Sequence, residues 1–149
     1  MNITENIKPT GLVKIVQTNA AGELVREFEV PNLVTTAGKS HIAAKLAATT
    51  NSPVAMTHMA IGTGTTSAAA GDTTLGTEGG RVSLSNTVVS TNTVTYTATF
   101  PAGTGTGAVT EAGVLNASSS GTLLCRTTFP AVNKASGDSI AITWVVTVS

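Results

Sequence analysis

The sequence predicts an all-β domain, a jelly-roll-like or Greek-key β-sandwich of about eight strands with one short α-helix. Three observations carry this expectation. Of the 149 residues, 28 are threonine and 15 are glycine; β-branched side chains favour extended backbone and glycine supplies turns. Apolar residues recur at period two in one segment after another, as strands with one buried face require. Clusters of Gly, Ser, Asn and Asp separate those segments at short intervals. The length is that of one domain and suffices for a core without disulfides or metals.

The elements follow in order. Residues 1–10 are polar and aperiodic and end in Lys8-Pro9-Thr10, so they are expected to form an N-terminal arm on a single domain spanning 11–149. Leu12, Lys14 and Val16 alternate with Val13, Ile15 and Gln17, and Glu23–Val30 alternates polar with apolar. With Asn19-Ala20-Ala21-Gly22 between them, the two runs predict a hairpin with one wet face, ended by Pro31. One helix is expected from about Ala37 to Ala48, with Thr36 as N-cap and Ile42, Ala43 and Leu46 forming its apolar stripe. Thr49–Pro53 should break it, because proline disfavours helical backbone at the preceding residue.

From Val54 onward the pattern is strand and loop. Val54–Ile61 is an apolar run, and Gly62–Gly80 is a low-charge loop too long for a tight turn. Alternating segments follow: Val82/Leu84 with Val88, Val94/Tyr96/Ala98/Phe100, Val109–Asn116, Leu123/Cys125/Thr127/Phe129, and Ile140/Ile142/Trp144/Val146/Val148. The last runs to Ser149, so the domain is expected to be complete, with no C-terminal module.

Charge narrows the function. Lys+Arg and Asp+Glu stand at 8 each, only 11% of residues are charged, and the net charge is zero. Such a chain has no basic footprint for nucleic acid or for an anionic membrane. No apolar run reaches the roughly 18 residues of a membrane-spanning helix, and the first residues lack a signal-peptide layout. A lone cysteine, Cys125, cannot form an internal disulfide, which suits folding in a reducing cytoplasm; its place in an apolar alternation predicts burial. A surface so poor in charge suits packing against other protein.

No constellation for chemistry stands out. Gly62-Thr63-Gly64-Thr65-Thr66 and Gly103-Thr104-Gly105-Thr106-Gly107 lack the Gly-Lys-Ser/Thr ending of a phosphate loop and read as flexible loops that let backbones approach closely. His41, His58 and Cys125 are too few and too scattered for a zinc site. Asp72 and Asp138 sit in Gly-flanked turns, no Gly-x-Ser-x-Gly elbow is present, and paired carboxylates would have to come from Asp72, Glu78, Glu111 and Asp138. Phe28, Tyr96, Phe100, Phe129 and Trp144 fit core packing better than a sugar-stacking platform. The expectation is therefore no enzyme, no catalytic or metal residues and no cofactor. Glu111 and Arg126 are conspicuous because charge is rare in this half; each should pair either within the domain or across a subunit contact.

Several stretches carry a family likeness: Asn32–Lys39, Thr57–Thr66, Gly71–Glu78, Gly105–Val114, and the closing segment from Arg126 to Trp144. Together they resemble small structural proteins of tailed bacteriophages, with Gly79-Gly80-Arg81 departing from the pattern in a loop. The resemblance implies a capsid decoration (cement) protein on the outer surface of the virion, made in the bacterial host cytoplasm. Its implied partners are the major capsid protein and further copies of itself, as a homodimer or homotrimer. Similar segments also occur in tail-fibre and baseplate proteins, so a tail component or a receptor (glycan)-binding module is the alternative. A lone domain without shaft repeats favours the cement reading.

Overall fold

A computed structural model describes residues 5–47 and 53–149. The fold is all-β with one short helix, as the composition and periodicity predict. Among the described residues, nine strands, one more than the sequence count, form one antiparallel sheet: β1 (Pro9–Thr18), β2 (Leu24–Val34), β3 (His58–Gly62), β4 (Glu78–Ser83), β5 (Asn86–Ser90), β6 (Thr93–Phe100), β7 (Gly107–Leu115), β8 (Leu123–Lys134) and β9 (Ser139–Val148). The helix α1 covers Thr36–Ala47. The strand order is β4-β3-β7-β8-β2-β1-β9-β6-β5.

The sheet curls so that its two halves face each other across one core. Val13 and Ile15 of β1, Tyr96, Ala98 and Phe100 of β6, and Ile140, Ile142, Trp144 and Val146 of β9 line one wall; Met59, Ile61, Ala112, Val114, Cys125 and Val132 line the other. β2 links the halves on one side. Its first part pairs with β1, and only its end, Leu33 and Val34, pairs with β8. On the other side, Leu84 donates to Thr57 O and Ser85 to Thr97 O, so the chain steps from the β3 half to the β6 half between β4 and β5.

The hairpin forms as expected, with Val13 opposite Val30 and Ile15 opposite Phe28. Asn19 closes its turn by accepting from the amides of Ala21 and Glu23. Pro31 does not end β2, contrary to the sequence reading. It pairs with Leu12, and on its other side its carbonyl accepts from Thr127 Oγ1 of β8 while the β8 backbone ladder begins only at Leu33, so a missing N–H there removes no ladder bond. Sheet pairing also begins inside the segment read as an arm: β1 starts at Pro9, and Lys8 and Ser149 exchange both backbone hydrogen bonds.

The helix starts one residue earlier than predicted. Thr35, fully buried, is the cap: its Oγ1 accepts from the Gly38 amide at 2.9 Å and donates to Leu123 O at 2.7 Å. Of the predicted stripe only Ile42, half-buried, packs against the core, while Ala43 and Leu46 are exposed. Gly38 and His41 face the protein, and Gly38 lies so close to Leu124 O that no Cβ fits between them. Leu46 is 80% exposed. It joins Ile7, Lys8, Pro9, Lys39, Ile42 and Ala43 around a shallow groove. A weakly amphipathic helix leaves this choice to backbone packing, and the glycine face docks closest. The predicted last helical residue, Ala48, and the breaker 49–52 lie outside the described residues.

Three further strand boundaries differ. Gly79, Gly80 and Arg81 belong to β4 rather than to the preceding loop. The Val82/Leu84/Val88 run is split into β4 and β5 by the step at Leu84-Ser85. Phe129, Pro130 and Ala131 bulge out of the β7–β8 ladder, where Glu111 pairs with Thr128 but Val109 with Val132.

Candidate functional site

The long loop between β3 and β4 lies over the outer face of β3, β7 and β8. Leu75 enters a small apolar cluster there with Ala60, Leu115 and Leu123. Beside that cluster sit the two charges that the sequence made conspicuous. Gly62 pairs with Glu111, and Glu111 with Thr128, so strand register sets Glu111 under the loop. Arg126, opposite Gly113, lies on the same outer face, and the space that Gly113 leaves is filled by Leu75 and Leu123 beside it.

Glu111 is fully buried and Arg126 nearly so. They pair with each other inside the domain: Arg126 Nε and Nη2 donate to Glu111 Oε2 at 3.0 and 2.8 Å. Arg126 Nη1 donates to Asp72 at 2.7 Å and Nη2 to Thr66 O at 2.9 Å. Glu111 also accepts from the amides of Gly64 (2.9 Å), Thr77 (2.7 Å) and Gly76 (2.8 Å). A Cβ on Gly64 would stand 2.5 Å from Glu111 Oε1, so glycine is required for the amide to come this near. The Gly62–Thr66 loop, read as flexible, is instead clasped at both ends of the cluster. The Gly103–Gly107 loop owes its glycines to backbone shape, with φ of +81°, +66° and +130° at Gly103, Gly105 and Gly107.

The electrostatics fix the protonation states. Burial pushes the Glu111 carboxyl upward, but the Thr77, Gly76 and Gly64 amides and Arg126 together hold it below the ordinary carboxylate range. Asp72 is lowered likewise, burial being outweighed by the Ala69 amide and Arg126. Arg126 is raised: burial acts against its charge, and Asp72 and Glu111 more than compensate. A carboxylate whose oxygens hold five donors and which stays ionised has neither a free lone pair nor a proton to offer. The chemistry of this cluster is clamping.

A second cluster closes the opposite end of β8. Lys134, almost fully buried, donates to Pro101 O and to Asp138 O; its pKa is lowered by burial, opposed by Asp138. The Asp138 carboxylate accepts from Gln17 Nε2 and the Ala135 amide. Glu78 and Arg81 form a two-point ion pair within β4. All seven charges after Pro53 are thus bonded within the domain.

The remaining sequence candidates do not converge. His41 lies in the buried face of α1 with Nδ1 unpartnered, its pKa lowered by burial and by Lys45. His58 bonds Thr57 Oγ1 through Nδ1. Cys125 is buried in the core, and burial pushes its thiol far up. Among the described residues, no group of three or more His, Cys, Asp or Glu side chains is placed to hold a metal, and no helix is long and apolar enough to cross a membrane. Tyr96, Phe100 and Trp144 are core residues, while Phe28 and Phe129 meet edge to face with Arg26 over the Phe28 ring. Sequence reasoning did not find the Gln17–Lys134–Asp138 set. Its signal was the same as for Glu111 and Arg126, a rare charge in or beside a strand.

Residues 27–148, from within β2 to the end of β9, match the family model described as phage tail-collar fibre protein, N-terminal. The chain belongs to this family. The match takes in α1, the clasped loop, the Glu111–Arg126–Asp72 cluster and Lys134 with Asp138, and leaves out β1 with Gln17. It makes the protein a structural protein of a bacteriophage particle, as the sequence resemblance implied, and it names the tail rather than the shell. Neither the curated proteins nor the solved structures compared with it contain a match.

Proposed function

We propose that this domain is a non-enzymatic component of a phage tail fibre, the reading that stood as the alternative to capsid cement. The observation that carries it is the tail-collar fibre match over nearly the whole fold. The placement of charge supports a structural role: the carboxylates considered for catalysis are locked in clamps. The partners on this reading are neighbouring tail proteins and further copies of the chain, in place of the major capsid protein. Contacts would run through the uncharged Thr-, Ser- and Val-rich surface of the second half of the chain.

Immunogold electron microscopy of intact particles with antibodies to this domain tests the reading. Label confined to the tail is expected. Label distributed over the capsid surface would restore the cement reading.

A further inference from the structure

The charges before Pro53 are placed unlike those after it. Lys14 pairs with Glu27, Glu23 accepts from Asn19, and Arg26 donates to Ala131 O and covers the Phe28 ring. Lys8, Lys39 and Lys45 form no ion pair among the described residues. Lys45 is accounted for by its place in the last turn of α1, where the helix dipole favours a cation. Lys39 is not. It closes the first turn, where the dipole disfavours positive charge, and that turn holds no acid.

Lys39 and Lys8 flank the groove between α1 and the start of β1. Its rim is apolar and open to solvent, with Leu46 80% and Ile7 72% exposed, while Ile42 lies deeper against the core. The β1 side is also an open strand edge. Lys8 exchanges both backbone bonds with Ser149, so antiparallel alternation turns the backbone groups of Ile7 to the other side. β2 occupies that side further along, but it pairs with β1 only from Gly11 onward. Among the described residues Ile7 makes no backbone hydrogen bond.

We propose that, apart from the uncharged contact surface, this groove docks an extended segment of another tail protein, its apolar side chains between α1 and β1 and its carboxylates at Lys39 and Lys8. The proposal rests on the tail reading above. The open edge at Ile7 calls for an extended backbone, the bare Leu46 and Ile7 for apolar side chains, and the two unmatched lysines for acids. A cleft of about 300 Å³ suits a short segment and not a whole domain. This chain does not supply the anion. Residues 1–4 and 48–52 hold no acid, Glu5 forms no ion pair among the described residues, and the hairpin acids Glu23 and Glu27 are engaged at Asn19 and Lys14. The family match starts at residue 27, so Ile7 and Lys8 lie outside it and the groove is not a surface that it assigns.

Lysine acetylation and zero-length carbodiimide cross-linking, each read by mass spectrometry, compare intact particles with the isolated chain. Lys8 and Lys39 should acetylate roughly tenfold more slowly in particles, as a site filled in about nine copies of ten requires, while Lys45 changes less. Carbodiimide should join Lys39 to an Asp or Glu of a different tail protein. In phage carrying Leu46→Glu, Lys39 should react as in the isolated chain, or the chain should be missing from the particles although its circular dichroism is unchanged. Equal acetylation in particles and in the isolated chain would overturn the proposal. So would links from Lys39 only to Glu5 or to another copy of this chain, or full protection in Leu46→Glu particles. Protection of the isolated chain by phosphatidylglycerol vesicles, with no link to protein in particles, would overturn it in favour of a membrane surface. Links to a shell protein would keep the docking surface and overturn the tail reading instead.

Discussion

Replacing Glu111 by glutamine keeps the side-chain volume and removes one charge from the clamp. In the folded protein, Oε1 holds the amides of Gly64 and Thr77, while Oε2 holds the Gly76 amide and two donors of Arg126. A glutamine amide has one oxygen, so its NH₂ faces donors whichever way it turns. Buried donors then lose their acceptor, and Arg126 keeps only Asp72 as an anionic partner. Removing one member of a buried ion pair costs about 3–5 kcal/mol, a large share of the roughly 5–15 kcal/mol that holds a domain folded. With a urea slope of about 2 kcal/mol/M, the midpoint should fall by roughly 1.5–2.5 M. Trp144 is the only tryptophan and is fully buried, so its fluorescence reports the transition. Glu27→Gln is the control, because the Lys14–Glu27 pair is solvent-exposed and such surface pairs contribute little to stability. A loss for Glu111→Gln no larger than for Glu27→Gln would refute the clamp.

Other predictions follow from the same structure. Asp72 and Glu111 have folded pKa values below their unfolded ones, so their stabilisation is full above the unfolded values near about 4 and lost as pH falls through the folded ones. The urea midpoint should therefore drop below about pH 4; a midpoint that rises on acidification would contradict this. Tyr96, the only tyrosine, is pushed up to about 12 by burial and then by Cys125, so its phenolate absorbance should appear well above the ordinary tyrosine range and coincide with alkaline unfolding. Thr35→Ala removes both the cap of α1 and its bond to Leu123 O; a stability loss of about 1–2 kcal/mol is expected in urea unfolding. Leu46→Ser, in the exposed helix stripe, should change stability by less than about 0.5 kcal/mol; a core-sized loss would mean the stripe is covered.

The strands were legible because each has a buried face with period two. Tyr96, Ala98 and Phe100, and Ile140 through Val146, alternate in the sequence as they do in the core. The helix face was not legible. Gly38 packs through the absence of a side chain, which a pattern of apolar residues cannot register. Pro31 misled because a strand can lose an N–H where one flank has no partner, and that depends on where β2 passes from β1 to β8. Rarity of charge marked Glu111 and Arg126, but their pairing needs the β7–β8 register and a loop folding back from residues far earlier. The Gly-Thr-Gly stretch looked mobile because its tethers are backbone amides, which have no sequence signature. Shell and tail were not distinguished by the residues, since an uncharged contact surface suits either; the tail reading proposed above draws its support from the family match.

Copy number per particle tests the proposed tail location most directly. Quantitative mass spectrometry of purified virions, referenced to the major capsid protein, should find a few to a few dozen copies, as tail fibres require. Hundreds of copies in fixed ratio to the shell subunit would contradict the tail assignment and return the protein to the capsid.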